Sequence, residues 1–107
     1  MTRENRLKIR ILSLARDYIE AGAVEYVCFA IEEAADSTPG GWDLGLGMID
    51  DIQAVFTGAN LFLGCSVEVW LNQVHGIPQK QLTPKNMRDY RIRWLTQWIH
   101  DLENTDR

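Results

Sequence analysis

Apolar residues recur along the chain at intervals of three and four, the spacing that collects side chains on one face of an α-helix. No run of alternating apolar and polar residues is long enough to favour a sheet, and short connections favour antiparallel neighbours. The pattern therefore predicts an all-α protein, a compact bundle of four to five short helices in a single domain over residues 1–107. The predicted helices lie near residues 4–21, 23–35, 42–57, 66–75 and 84–103.

Glycine, proline and threonine mark the predicted helix boundaries. Gly22 has the position of a residue that stops the first helix, and it leaves a joint of one residue before the second. Residues 36–41 (DSTPGG) predict a loop. Thr83 and Pro84 give the clearest boundary, because threonine caps helix N-termini and proline is favoured at the first helical position.

Two glycines weaken the third predicted helix. Gly45 and Gly47 each cost about 1 kcal/mol relative to alanine inside a helix, so we expect this helix to begin properly only near Met48. The Gly45-Leu46-Gly47 segment lacks the third glycine of a dinucleotide-binding fingerprint and follows no predicted strand. Close packing at the start of the helix explains these glycines better than a phosphate site does.

The charge is distributed unevenly along the chain. The net charge of −4 divides into +3 over residues 1–10, −9 over residues 11–78 and +2 over residues 79–107. The ends are basic and the middle is acidic, so the protein has a dipolar field if its ends meet in space. In a structural interpretation, these charges simply lie on solvated helix faces. In a functional interpretation, the basic residues form a face that binds an acidic partner. The predicted basic face contains Arg3, Arg6, Arg10, Arg88 and Arg93.

No group of residues has the spacing of a catalytic or metal site. Asp50 and Asp51 are adjacent and point to different faces of a helix, so with Asp43 they are better explained by the helix dipole than by a bound cation. His75 is expected at a helix C-terminus and His100 on a polar helix face. The sequence predicts a protein that is not an enzyme and that has no metal site and no cofactor.

The cysteines and the N-terminal residues indicate the cellular compartment in which the protein is expected. Cys28 and Cys65 lie in apolar segments and are predicted to be buried free thiols, although a nucleophilic pair of either cysteine with His75 stays open as an alternative. The first residues lack the apolar run of a signal peptide, and no stretch is long and apolar enough to span a membrane. We therefore expect a soluble, cytoplasmic protein that does not interact with a membrane.

The last predicted helix has the most informative pattern. Four of its apolar residues fall on one line: Met87, Trp94, Trp98 and Leu102. Arg91 interrupts this line, and a charge there must be paired, stacked or exposed. In a structural interpretation, Arg91 stacks on an indole and passes Trp94 and Trp98 to reach Glu32 or Glu33. In a functional interpretation, the helix borders an exposed groove that binds a partner through Tyr90, Arg91, Trp94 and Trp98.

The number of tryptophans points to a partner. Four tryptophans are many for one small core, since each buries about 150–250 Å². Trp42 follows Gly40 and Gly41, where a partner could reach it. The excess of aromatic surface suggests that a second chain covers some of it. A homodimer through the last helix is the simplest arrangement, because one surface then serves both sides.

Two other functions stay open as alternatives. The arginines near the chain ends could bind nucleic acid, but the net charge of −4 makes this unlikely on electrostatic grounds. A small flat ligand such as a nucleotide could stack on Trp42, Trp70 or Trp94, in which case the protein would sequester that ligand.

Three segments resemble small helical proteins encoded by phages and prophages: residues 11–19 (ILSLARDYI), 26–31 (YVCFAI) and 91–99 (RIRWLTQWI). The resemblance covers about half of the chain and includes no catalytic signature. It implies an origin in a mobile element, and such proteins often bind a host enzyme, as anti-CRISPR and other counter-defence inhibitors do. The leading hypothesis is therefore a non-enzymatic protein–protein interaction module that inhibits a host defence enzyme by occlusion.

Overall fold

The computed structural model describes residues 2–55, 76, 78–81 and 83–105. These residues form no strand, so the predicted all-α class is confirmed for this part of the chain. The predicted helix near 66–75 lies outside the described residues, as do Cys65, Trp70 and His75. The described elements are α1 (Arg3–Glu20), α2 (Val27–Asp36), α3 (Trp42–Val55), a 3-10 helix (Gln79–Gln81) and α4 (Pro84–Thr105).

Both ends of α1 are closed by local hydrogen bonds. The Thr2 hydroxyl accepts a bond of 3.1 Å from the Asn5 backbone N–H, which caps the N-terminus. At the other end Gly22 has a φ of +74°, and the Ala23 N–H donates to the Tyr18 carbonyl at 2.9 Å. This is the Schellman arrangement that a glycine after the last helical residue favours. The predicted stop at Gly22 is confirmed.

The joint between α1 and α2 is longer than the predicted single residue. Tyr26 has extended backbone angles, with φ −104° and ψ 143°, and α2 begins only at Val27. The helix predicted from residue 23 therefore starts four residues late. The hydrogen bonds that close α1 at Gly22 direct the chain away from the helix axis. The backbone returns to helical angles only after Tyr26.

A tight turn joins α2 to α3. The Gly41 N–H donates to the Thr38 carbonyl at 2.9 Å across Pro39 and Gly40, and Gly40 has a φ of +75°. Proline followed by a glycine with positive φ is the signature of a type II turn. The buried Thr38 hydroxyl donates to the Ala34 carbonyl at 2.8 Å, which anchors the turn to α2. The predicted loop is confirmed, and it makes the two helices a hairpin.

Gly45 lies where α2 and α3 approach most closely. A Cβ atom at this position would overlap the Cβ of Ala35, whereas a Cβ at Gly47 would meet no atom within 4 Å. The prediction of close packing is therefore right for Gly45 and does not extend to Gly47. The expected helix start near Met48 is wrong, because α3 begins at Trp42. Packing against α2 outweighs the poor helix propensity of the two glycines.

α1 packs against both α2 and α4, and it makes a smaller contact with α3. The core contains mainly aliphatic residues and small residues. Cys28 lies in this core and is buried, as predicted. The buried apolar residues of the described chain are Ile11, Leu12, Ala15, Ile19, Val27, Cys28, Ala30, Ile31, Ala34, Ala35, Met48, Ile52, Met87, Leu95 and Ile99.

α1 and α4 run antiparallel. Arg16 Nη1 donates to the Thr96 hydroxyl at 3.2 Å, and a Cβ atom at Gly22 would lie 3.9 Å from Arg88 Nη2. The C-terminal end of α1 therefore lies beside the N-terminal end of α4. The start of α4 matches the prediction, because the Thr83 hydroxyl accepts a bond of 3.2 Å from the Asn86 N–H and Pro84 is the first helical residue.

Candidate protein-binding surface

The most buried line of α4 differs from the predicted one. Trp94, Trp98 and Leu102 are half-buried, and of the predicted line only Met87 is buried. The residues that face α1 and the core follow each other at intervals of four, which is the spacing of one helix face. They are Met87, Arg91, Leu95 and Ile99.

Arg91 lies in the core and not at an accessible surface. Its side chain is 1% exposed, and its guanidinium carbon lies 4.9 Å from the centre of the Tyr26 ring. The predicted stacking is therefore made, but on a tyrosine of the α1–α2 joint and not on an indole. The prediction that Arg91 contacts a partner directly is corrected, since a partner cannot reach a side chain on the most buried line of α4.

The other three predicted residues of α4 keep some exposed surface. Trp94 and Trp98 pack edge to face with ring centres 5.1 Å apart, and both are half-buried. Tyr90 is half-buried as well, with the Arg93 guanidinium 4.8 Å from its ring centre. These contacts cover part of the aromatic surface of the three residues within the chain itself. A role for Tyr90, Trp94 and Trp98 in partner binding stays a prediction.

The arginines of the predicted basic face are spread along the α1–α4 pair. All five arginines are exposed, but the antiparallel packing places Arg88 beside Gly22, at the far end of α1 from Arg3. At 1.5 Å per helical residue the two ends are about 30 Å apart. The N-terminal arginines of α1 lie at the end of the pair that contains Asp101 and Glu103 of α4. Arg3 and Arg88 are therefore too far apart to belong to one compact basic cluster.

The exposed apolar surface lies on the α2–α3 hairpin. Three large hydrophobic residues of the described chain are mostly or substantially exposed: Phe29 at 52%, Trp42 at 43% and Leu46 at 38%. Phe29 belongs to α2, and Trp42 and Leu46 follow each other by one turn on α3. Trp42 is thus accessible, as the sequence indicated. Single exposed apolar residues are common, but three on one supersecondary unit mark a candidate binding surface.

The same hairpin presents exposed carboxylates on both of its helices. On α2 the exposed positions follow i, i+3, i+4 and i+7, so they form one stripe opposite the buried alanines. On α3 the exposed positions begin at the first residue of the helix and continue for three turns. We refer to these two stripes together as the acidic hairpin face: Phe29, Glu32, Glu33, Asp36, Trp42, Asp43, Leu46, Asp50 and Asp51.

No cation compensates these carboxylates within the hairpin. Residues 27–55 include six acidic residues and no lysine, arginine or histidine. All six are exposed, and none forms an ion pair within the described part of the chain. By contrast, Glu4 pairs with Lys8 at 3.3 Å, and Asp89 pairs with Lys85 at 3.6 Å. The face therefore has a negative potential that attracts basic groups.

Two residues of this face, Phe29 and Leu46, were not among the predicted site residues. Phe29 falls opposite the apolar stripe of its helix, between glutamates, and that position was a signal of exposure. The exposure of Leu46 was harder to predict from the sequence. Leu46 lies between two glycines, in a segment that was expected to precede the regular part of the helix. The long stretch without a cation was visible in the sequence, but its place on one hairpin was not.

A separate cavity of about 240 Å³ opens between the C-terminal end of α1 and the N-terminal end of α4. Among the described residues no tryptophan lines it, so neither Trp42 nor Trp94 contributes an indole on which a nucleotide could stack there. Its walls combine apolar and charged side chains. The lining residues are Ile19, Gly22, Val24, Glu25, Pro84, Arg88 and Arg91.

The described residues include no group of three or more histidine, cysteine, aspartate or glutamate side chains placed to hold a metal ion. Within the same residues, no helix has both the length and the apolar character needed to cross a membrane. Comparison of the chain with protein-family models, with curated proteins and with solved structures finds no match.

Proposed function

We propose that this protein acts by binding another protein through the acidic hairpin face, and that it blocks a functional surface of that partner by occupying it. One observation carries the proposal. Phe29, Trp42 and Leu46, the large hydrophobic residues with the greatest exposure among the described residues, lie on the hairpin that has six carboxylates and no cation. A surface on which exposed apolar groups are rimmed by polar or charged groups is typical of a protein-recognition site.

The chemistry of the face defines the partner. Its carboxylates attract lysine and arginine, and they speed association by long-range attraction. Its apolar residues gain binding free energy when they enter a pocket, and aromatic side chains are frequent energetic centres of interfaces. The partner is therefore a protein with a basic surface around an apolar depression. That the partner is a host defence enzyme rests on the resemblance to phage proteins and remains part of the proposal.

The competing functions receive less support from the geometry. A nucleic-acid-binding surface needs cations gathered along one face, and here Arg3 and Arg88 of the predicted basic face lie at opposite ends of the α1–α4 pair. A homodimer through α4 would use Trp94 and Trp98, which already pack on each other and are half-buried. Binding of DNA or RNA, or a dimer that covers the hairpin face, would each contradict the proposal.

A pair of defined peptides tests the chemistry of the face. One is an amphipathic helix of lysine and leucine, and the other is oligolysine of the same net charge. We expect isothermal titration calorimetry to give a Kd about tenfold lower for the amphipathic peptide, because burial of one large apolar group contributes about 1.5–3 kcal/mol. The double variant Trp42→Ala/Leu46→Ala should remove this preference and leave the oligolysine affinity unchanged.

Charge is tested with two triple variants of equal net charge. Glu32→Gln/Glu33→Gln/Asp36→Asn removes carboxylates from the hairpin face, and the matched control removes three other exposed carboxylates: Asp17→Asn/Glu20→Gln/Glu103→Gln. The hairpin variant should weaken both peptides and reduce the salt dependence of binding, and the control should do so much less. Equal losses in the two variants would show that net charge alone is responsible and would overturn the proposal.

A further inference from the structure

Gly47 lies inside α3 at an exposed position, and nothing in the described part of the chain requires a glycine there. The glycines with positive φ among the described residues are Gly22, Gly40 and Gly76, so position 47 has backbone angles that any residue adopts. A Cβ atom at this position would meet no packed neighbour within 4 Å. Since glycine is one of the least favourable residues in a helix interior, alanine here would stabilise the protein on its own.

Gly45, two residues earlier, shows what a glycine in this helix can do. It lets α3 approach α2, because a Cβ atom at position 45 would overlap the Cβ of Ala35. Two residues along an α-helix correspond to a rotation of about 200°, so Gly47 lies on the opposite side of α3, which faces solvent. α3 therefore has one glycine where a helix of its own chain packs closely, and a second glycine where another molecule can approach equally closely.

Gly47 interrupts a row of exposed side chains along the acidic hairpin face. Residues four apart form ridges on a helix surface, and the ridges of one helix pack into the grooves of another. The two exposed ridges of α3 are formed by Asp43, Gly47 and Asp51 and by Trp42, Leu46 and Asp50. Because position 47 has no side chain, the first ridge has an opening with a carboxylate one turn away on each side. We refer to this opening as the Gly47 gap.

We propose that the partner binds the acidic hairpin face with a basic amphipathic α-helix that crosses α3 at the Gly47 gap. This contact rests on the proposed function and adds to it the element with which the partner binds. A side chain of the partner helix enters the gap, and lysine or arginine one turn away on the same ridge pairs with Asp43 and Asp51. Apolar residues on the neighbouring ridge contact Trp42 and Leu46. The six carboxylates of the hairpin select a basic helix over a neutral or an acidic one.

Two peptides of identical composition test whether the bound element must be a helix. One is the amphipathic peptide of lysine and leucine, and the other is its diastereomer with D residues at every third position, which cannot form a regular helix. We expect isothermal titration calorimetry to give a Kd about tenfold lower for the helical peptide. Equal Kd values, both lower than that of oligolysine, would overturn the helix contact and leave the proposed function standing. If neither peptide binds more tightly than oligolysine, both proposals are overturned.

The substitution Gly47→Ala tests the gap itself. The added methyl group should raise the Tm, because alanine favours the helix, and it should weaken binding of the helical peptide about tenfold, because it occupies the gap. Oligolysine should keep its Kd, since a flexible cationic chain does not need a close approach. Asn104→Ala is the matched control: Asn104 is an exposed residue of α4 outside the acidic hairpin face, and its substitution should leave both Kd values unchanged.

A gain in stability together with a loss of binding distinguishes a contact residue from a structural one. An unchanged Kd for the helical peptide in the Gly47→Ala variant would overturn the proposal, and so would a lower Tm, since the fold itself would then require the glycine. Equal weakening of the helical peptide and of oligolysine would also overturn it, because the methyl group would then have altered the whole face. In heteronuclear NMR spectra the Gly47 amide should shift on saturation with the helical peptide, and shifts confined to residues outside α3 would contradict the assignment.

Discussion

The α1–α4 pair and the α2–α3 hairpin are held together by different kinds of side chain. Between α1 and α4 the contact includes the hydrogen bond from Arg16 to Thr96, and the buried line of α4 supplies large aliphatic residues such as Leu95 and Ile99. Between α2 and α3 the closest contact uses Ala35 and Gly45. The hairpin thus brings its two backbones together with small residues at this contact. Its larger aliphatic residues, such as Ile31 and Met48, lie in the core, whereas Phe29, Trp42 and Leu46 are exposed.

The hairpin also differs from the α1–α4 pair because, among the described residues, the large hydrophobic side chains with the greatest exposure belong to it. The apolar surface of Leu95 is fully buried and stabilises the folded state. The exposed apolar surface of Phe29, Trp42 and Leu46 contributes less to folding and is available to another molecule.

The largest effect is expected from truncation of a core residue between α1 and α4. Leu95→Ala should lower the free energy of unfolding by about 3 kcal/mol, since it removes a fully buried side chain and leaves a cavity. Chemical denaturation monitored by circular dichroism measures this. A loss below about 1 kcal/mol would show that the pair does not depend on large side chains.

The opposite change, from small to large, should disrupt the hairpin. Gly45→Val places a side chain against Ala35 and should cost about 2 kcal/mol, as overpacking typically does. Gly47→Val is the matched control, because position 47 has open space and valine is a slightly better helix former than glycine. Equal destabilisation by the two substitutions would contradict the close contact at Gly45.

The polar contact between α1 and α4 should give a smaller effect. Thr96→Val removes the acceptor of the Arg16 hydrogen bond while keeping the shape of the side chain, and should cost about 1 kcal/mol. Thr105→Val serves as the comparison, because Thr105 bonds only within its own helix, to the Asp101 carbonyl at an exposed position. If the two variants lose equal stability, the bond between the helices contributes nothing of its own.

The smallest effect on stability is expected on the acidic hairpin face. Leu46→Ala should change the free energy of unfolding by less than about 0.5 kcal/mol, because the side chain is exposed and alanine favours the helix. A loss comparable to that of Leu95→Ala would mean that Leu46 belongs to the core. It could then not be part of a surface kept free for a partner.

Local signals in the sequence predicted the helix boundaries best where one residue type determines the geometry. Thr83 and Pro84 start α4, and Gly22 ends α1, because a cap and a positive φ depend on neighbouring backbone alone. The helix predicted near residues 42–57 does begin at Trp42, and only the expectation of a proper start near Met48 is wrong. Its glycines look unfavourable in isolation, and only the contact with Ala35 shows why Gly45 lies inside the helix.

The candidate surfaces were harder to predict because they depend on how the helices pack. The two tryptophans of α4 suggested its exposed groove, but the antiparallel contact with α1 turns Arg91 inwards and leaves Trp94 and Trp98 half-buried. The same contact separates Arg3 from Arg88. Neither the direction of α4 nor its rotation about its axis follows from a pattern of apolar positions.

Site-specific photo-crosslinking tests the central claim most directly. A photoreactive benzoyl-phenylalanine replaces either Leu46 on the hairpin face or His100, an exposed residue of α4, and the protein is irradiated with the purified partner. The account predicts crosslinks from position 46, to partner peptides rich in lysine and arginine, and none from position 100. Crosslinks from position 100 alone, or from position 46 only to another copy of this chain, would contradict it.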